Sequence, residues 1–323
     1  MNAIEHATKL LVNGKLVAIP TETVYGLGAN AKNPAAVQKI YAVKGRPASN
    51  PLIIHIPNSD AMTDWAIHIP EAAWRLAAAF WPGPLTLVLS RHPSVPPIVT
   101  GGQDTIALRI PNHPLTLELL HAFKGGIAAP SANRYGRLSP TTAKHVRTEL
   151  GESVDYILEG GPCSVGIEST ILDLSGATPS ILRPGSISKE ALIAVLKENI
   201  FAAHGEVQVP GLSLSHYAPV QPLYLLDRST LLTFAERLNQ EQRFFSVLSF
   251  DKLPANNHAN AHNWVEASPD PMEYAKALYH NLRSMDEKAP DCILVESPPN
   301  TEAWLAIRDR LQRAAYSSTP WSF

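Results

Sequence analysis

Arg109 stands inside TIALRIP, residues 105–111, an otherwise apolar run of strand-forming residues. A cation left unpaired on a buried strand is costly, so this one must meet a carboxylate. That carboxylate is either a ligand's or belongs to an internal acid such as Glu22 or Glu168. Strand alternation sets Thr105, Ala107 and Arg109 on one face, where a hydroxyl and a planar fork of donors share a surface without bulk.

Other stretches repeat this inventory. In VKGRPASNPLIIHI, Lys44 and Arg46 flank Gly45, and Asn50 precedes Pro51. Two cations on a glycine hinge can converge on a polyphosphate, or they are surface charges on a solvated loop. His55, in the apolar strand that follows, is either a ligand contact or a satisfied core histidine. AAPSANRYGRLSPT places Ser131 and Asn133 at a strand exit, then Arg134, Arg137 and Ser139; Ser139 is a candidate N-cap, with Pro140 at the first helical position. GGPCSVGIESTILDLS brings Glu168, Ser169 and Thr170 into a strand, and SILRPG ends one on Arg183. PTETVYGLG, residues 20–28, crowds Thr21, Glu22, Thr23 and Tyr25 where KLVAIP runs out, with Gly26 and Gly28 giving the backbone room to turn away. Strand ends so alike point to one crevice for a phosphorylated ligand plus a small zwitterion.

The familiar devices are missing. GxxxxGK[ST] does not occur, GLG after the first strand lacks the third glycine of a dinucleotide fingerprint, and no GxSxG elbow or close Cys–His pair argues for covalent catalysis. His258 and His262 have i,i+4 spacing, but the Asn-rich NNHANAH does not support a helix or a metal site. Catalysis by positioning and charge neutralisation remains.

These side chains need a scaffold. Residues 1–200 alternate short strands (KLVAIP, PLIIHI, LTLVLS, TIALRIP, GIAAP, STILDLS, SILRPG) with helical segments from NPAAVQKIYAVKG to ISKEALIAVLKEN, which predicts an α/β domain with a mixed sheet. Residues 201–220 hold Gly and Pro without sustained periodicity and read as a linker. Residues 221–323 have the βαβ rhythm of a small parallel sheet, with PANNHANAHNW as a polar loop. The 323 residues, 45% of them apolar, suit two domains, and no stretch is long and apolar enough for a membrane span, so a cytoplasmic protein is expected. Cys163 and Cys292 lack CxxC spacing and read as inert thiols. Net charge is −2, but residues 1–140 hold 12 basic against 7 acidic side chains, so anionic ligands belong there.

In this order PTETVYGLG, KGRPxxNPL, TIALRIP, APSAN, GIESTIL and LRPG resemble the YrdC family, whose hallmark is a Lys-x-Arg with a Ser-x-Asn, here Lys44, Arg46, Ser131 and Asn133. VPGLSLSHYAP and the domain after it are similar to the long, two-domain form, the threonylcarbamoyl-AMP synthases. The resemblance implies a twisted mixed sheet with a deep basic cavity, a linker across its mouth and a Rossmann-like α/β C-terminal domain. It implies that L-threonine, bicarbonate and ATP, with Mg2+, give L-threonylcarbamoyl-AMP and pyrophosphate, the carbamate of threonine attacking the α-phosphorus. A partner transferase would then modify tRNA, which leaves room for a weak tRNA contact.

Carried onto matching positions, the L-threonine pocket would involve Thr23, His55, Arg109, Ala129 and Ser169, with Arg109 on the carboxylate. ATP would meet Arg46, Asn50, Thr105, Ser131, Asn133, Ser139 and Arg183, and Tyr217 from the linker. Lys44 and Arg46 would serve catalysis at the phosphates, and no protein ligand for a metal is assigned. Leu212, Ser213, Leu214 and Ser215 depart from the basic or bulky residue many relatives carry there. Two other readings are a non-catalytic RNA-binding module, for which RYGR is the one aromatic-basic cluster, and carbamoyl transfer in hydrogenase maturation. The latter needs zinc-finger cysteines that this sequence lacks.

Overall fold

The computed structural model describes residues 2–202, 207–211, 216–251 and 261–316. Its contacts divide the chain into two compact units, Met1–Tyr135 with Ser139–Leu212, and Gly136–Leu138 with Ser213–Phe323. The change of unit falls within residues 201–220, and the first half of that segment goes with the first unit. Leu212–Ser215, where the sequence departs from its relatives, lie outside the described residues.

Eleven strands among the described residues build the sheet of the first unit: β1 (Val17–Ile19), β2 (Gly26–Asn30), β3 (Ile53–His55), β4 (Ala66–Ile67), β5 (Leu85–Arg91), β6 (Thr105–Arg109), β7 (Ile127–Ala128), β8 (Tyr156–Ile157), β9 (Thr170–Asp173), β10 (Ser180–Arg183) and β11 (Phe201–Ala202). Their order is β11-β10-β9-β5-β6-β3-β7-β2-β1-β8, with β4 beside β5. The sheet is mixed: β3 runs parallel to β6, and β5 parallel to β9, but β5 and β6 are antiparallel.

Period-two alternation divides this sheet into an oily face and a polar one. Ile54, Leu85, Leu87, Leu89, Ile106, Leu108 and Leu172 point to the main core, which α2 (Pro34–Lys44), α3 (Glu71–Phe80), α5 (Ala143–Leu150) and α6 (Lys189–Leu196) help to build. The alternate residues, among them Ile53, His55, Thr86, Ala107, Arg109, Ser169 and Ile171, share the other face. There Ile53, Val88, Ala107 and Ile171 pack against Val209 of the linker. Gln103 holds the same segment with a two-way amide clamp, donating to Gln208 O at 3.0 Å and accepting from Gln208 N at 2.8 Å. At the other end of the sheet α1 (Ala3–Val12) and α4 (Pro114–Phe123) pack on Val17, Ile19, Ile127 and Ala129.

Two readings of the sequence are corrected here. Gly26 and Gly28 do not turn the chain away; they lie in β2, where a Cβ on Gly28 would come within 2.9 Å of Val17 O and one on Gly26 within 3.1 Å of the Ala129 Cβ. They let backbones and small side chains approach closely. Ser139 caps no helix: α5 begins after Thr142, whose hydroxyl accepts from His145 N at 3.2 Å, and Ser139 is buried elsewhere.

The second unit holds a parallel sheet of four strands among the described residues, β12 (Leu223–Leu226), β13 (Phe245–Ser249), β14 (Ala261–Glu266) and β15 (Cys292–Glu296), in the order β12-β15-β13-β14. Helix α7 (Arg228–Gln240) joins β12 to β13, α8 (Pro271–Asp286) joins β14 to β15 and α9 (Leu305–Ala315) follows β15, the βαβ rhythm read from the sequence. The end of PANNHANAHNW is strand β14 rather than loop. His262 lies in it, and His258 is outside the described residues. Cys163 and Cys292 are both buried, which pushes each thiol up to about 12 and keeps it inert.

Candidate binding and active site

Arg109, the last residue of β6, is 4% exposed and reaches three partners. Nη2 lies 2.7 Å from Glu22 Oε2, Nη1 donates to Thr23 Oγ1 at 2.9 Å, and Nε donates to Gly83 O at 3.1 Å. The internal salt bridge, one of the two readings of this arginine, is therefore present. It is incomplete: Arg109 Nη2 and both Glu22 carboxylate oxygens are buried without a hydrogen bond of good geometry.

The Thr21–Thr23 corner fixes the acceptor that Arg109 meets. Thr21 Oγ1 donates to Val24 O at 2.6 Å, so at its 2.8 Å contact with Thr23 it must accept. The Thr23 hydroxyl hence donates to Thr21 and accepts from Arg109, a one-way chain ending on a backbone carbonyl. Backbone N–H groups of Thr23 and Val24 also bond Thr21 Oγ1, so the corner after β1 is locked by its own threonine.

His55 is the register neighbour of Arg109 across β3 and β6, and neither of its ring nitrogens makes a hydrogen bond of good geometry among the described residues, although the ring approaches the Ile127 backbone. Burial, and then the Arg109 cation, drive its pKa down to about 3. The ring therefore stays neutral and offers a substrate one donor and one acceptor. Ala129, beside this pair, is buried and bonds Ile53 O through its backbone N–H at 3.0 Å.

On the next strands, Thr86 and Ser169 exchange a hydroxyl contact at 2.7 Å, and Arg183 donates to Ser169 O (2.9 and 3.2 Å), to Ser169 Oγ at 3.2 Å and to Pro210 O at 2.9 Å. Arg183 thus ties Ser169, the residue before β9, to the described linker residues. A Cβ at Gly185 would stand 2.3 Å from Thr170 N, so only glycine lets the chain after Arg183 pass so close. Ser139 donates to Glu168 Oε1 at 2.5 Å. Thr105 is four residues from Arg109 along β6, ~13 Å at strand rise, on the same face.

Lys44 is buried at the last turn of α2, where Gly45 (φ +62°) and Arg46 close a Schellman turn through Gly45 N to Ala42 O and Arg46 N to Tyr41 O. Its ammonium donates to Ser131 O and Asn133 O, each at 2.5 Å. The Lys-x-Arg and Ser-x-Asn halves are therefore one interlocked unit, held by the lysine through backbone carbonyls. Burial first, and then Arg46, push the Lys44 pKa well below its usual value, while Glu149 pulls it back. Arg46 donates to Pro51 O at 3.0 Å and stands 5.7 Å over the Tyr135 ring, whose hydroxyl accepts from Asn50 at 3.1 Å. Asn133 donates from its side chain to Arg134 O at 2.7 Å.

One framework of the first unit thus carries every anticipated position except Tyr217. That residue belongs to the second unit, buried beside His216 and Tyr279 with the Arg310 guanidinium 5.4 Å over its ring. The sequence points to Glu22 as a partner for Arg109 and to Tyr135 only as the aromatic of RYGR, and does not mark Thr86 or Gln103. Thr86 and Gln103 carry no distinctive signal; for Tyr135 the available one is an aromatic two residues beyond Asn133, after Arg134.

A family model described as Telomere recombination matches residues 9–185, and one described as Threonylcarbamoyl-AMP synthase, C-terminal domain, matches residues 187–316. The chain is 41% identical over 320 residues to the threonylcarbamoyl-AMP synthase of Bacillus subtilis, covering 97% of this chain and 92% of that one. The synthase of Pyrococcus abyssi is 39% identical, with coverage of 97% and 94%. A crystal structure of P. abyssi Sua5 complexed with L-threonine superposes with a TM-score of 0.89 at 38% identity, over 97% of this chain and 94% of that one.

Proposed function

The chain belongs to the threonylcarbamoyl-AMP synthase family, and from that premise we propose that it makes L-threonylcarbamoyl-AMP from L-threonine, bicarbonate and ATP, with release of pyrophosphate. This is the first step in placing threonylcarbamoyl on tRNA adenosine. The observation that carries the reading is the polar face of the sheet. It sets a guanidinium, a neutral imidazole and a hydroxyl side by side at Arg109, His55 and Thr23, within one framework with two buried cations, Lys44 and Arg46.

Arg109 takes the threonine carboxylate, and Thr23, His55 and Ser169 surround its side chain, with Ala129 as wall. Arg46, Asn50, Ser131, Asn133, Ser139, Arg183 and Thr105 receive ATP along the same face. The adenylyl group moves from pyrophosphate to the carbamate oxygen, which makes the enzyme a nucleotidyltransferase. Lys44 and Arg46 offset charge on the phosphates as pyrophosphate leaves.

Among the described residues no cluster of three His, Cys, Asp or Glu could hold a resident metal. In this reading Mg2+ enters with ATP, held by phosphates and water with at most one or two carboxylates. When bound, the ion adds charge neutralisation at the phosphates. The product, a mixed anhydride of a carbamic and a phosphoric acid, is reactive and calls for a transferase that consumes it. No helix among the described residues is long and apolar enough to cross a membrane, and work on ATP with a tRNA-modifying partner supports a cytoplasmic setting.

The product itself is the test. With isotope-labelled bicarbonate, L-threonine and MgATP, mass spectrometry is expected to find threonylcarbamoyl-AMP with the label in its carbamoyl carbon. Adenylate formed without that carbon, or threonyl-AMP in its place, would refute the assignment.

A further inference from the structure

We propose that Glu22 is the general base that frees the threonine amine for carboxylation, an assignment that rests on the synthase reading above. Glu22 is 5% exposed and 2.7 Å from Arg109 Nη2, yet neither of its oxygens receives a hydrogen bond, and Nη2 donates none. Buried polar groups in folded proteins are nearly always satisfied, so the arrangement calls for one acceptor at Nη2 and donors at Glu22. An amino-acid zwitterion supplies both, because its carboxylate and ammonium share one carbon. With the carboxylate on Arg109, the ammonium falls beside Glu22.

The neighbouring groups leave this role to Glu22. Ser139 already occupies Glu168 Oε1, Lys44 is spent on two carbonyls, and His55 is too weak a base with a pKa of about 3. The Cys163 thiol, also near Glu22, is pushed up to about 12 by burial.

The step balances without a further reactant. The ammonium gives one proton to the Glu22 carboxylate. The nitrogen lone pair then forms a bond to the carbon of bicarbonate, whose C–OH bond breaks. The hydroxide leaves as water with the second nitrogen proton, and the carbamate keeps the third. Glu22 returns its proton to solvent after the carbamate has formed.

The test compares the two directions of the reaction in Glu22→Gln, which keeps the shape and removes the base. Forward synthesis is expected to fall by about a hundredfold or more, the usual worth of a positioned base. The reverse adenylyl transfer, ATP formed from threonylcarbamoyl-AMP and pyrophosphate, does not need the amine deprotonated and should stay within about threefold of the parent. Equal losses in both directions, or forward synthesis within about threefold of the parent, would overturn the proposal. Should the glutamine variant not fold, Glu22→Asp, which keeps the charge but shortens the reach, carries the same comparison. A parent enzyme inactive in both directions would instead count against the synthase reading.

Discussion

Arg109→Ala is expected to weaken L-threonine binding by a hundredfold or more, on the order of what a buried charge pair loses when one partner is truncated, while ATP affinity stays within several-fold. The guanidinium keeps one nitrogen for the amino acid: Nη1 and Nε are committed to Thr23 and Gly83, and Nη2 lies beside Glu22 with its hydrogen bond unmade. Removal also orphans the Glu22 carboxylate, at a cost in stability of about 3–5 kcal/mol. The two effects separate in the double variant with Glu22→Gln, which removes the orphaned charge. Most of the stability should return and none of the threonine affinity. Calorimetry with each ligand, together with denaturant midpoints, measures both; equal losses for threonine and ATP would make the arginine a structural residue.

Lys44→Met has the second largest expected effect, and it falls on the other substrate. Methionine keeps most of the buried stem but leaves Ser131 O and Asn133 O without their 2.5 Å donor, each orphan costing about 1–3 kcal/mol. The Ser-x-Asn loop then loses its tie to α2, and Arg46 and Asn50 lose their fixed relation to it through Tyr135. We expect ATP affinity to fall by about tenfold or more and turnover by about a hundredfold, with threonine binding nearly intact. Unchanged ATP affinity with normal turnover would show that the loop needs no lysine.

The contrast between these two variants marks what could be read from sequence. Arg109 was legible because a guanidinium in an apolar strand violates patterning, and alternation alone put Thr105 and Ala107 on its face. That Lys44 and Arg46 belong with Ser131 and Asn133 came from family resemblance. That the lysine works through backbone carbonyls was not legible, since no side-chain pattern encodes which carbonyl a buried ammonium meets. β2 was missed because Gly-Leu-Gly-Ala-Asn lacks the β-branched residues that signal a strand; its place beside β1 and β7 comes from close approach, which only the folded sheet reveals. Ser139 was misread for the opposite reason. Ser-Pro is a strong local helix-start signal, but the tertiary partner Glu168 took the hydroxyl and Thr142 took the cap. β14 was hidden because Ala-His-Asn reads as polar loop, and it is strand because β13 pairs with it at a sheet edge.

The central claim is that one site joins three substrates, and the most direct measurement is pyrophosphate release from MgATP with each of the other two left out in turn. The account predicts release when L-threonine and bicarbonate are both present, and release near background when either is missing. ATP turnover indifferent to threonine, or to bicarbonate, would contradict it.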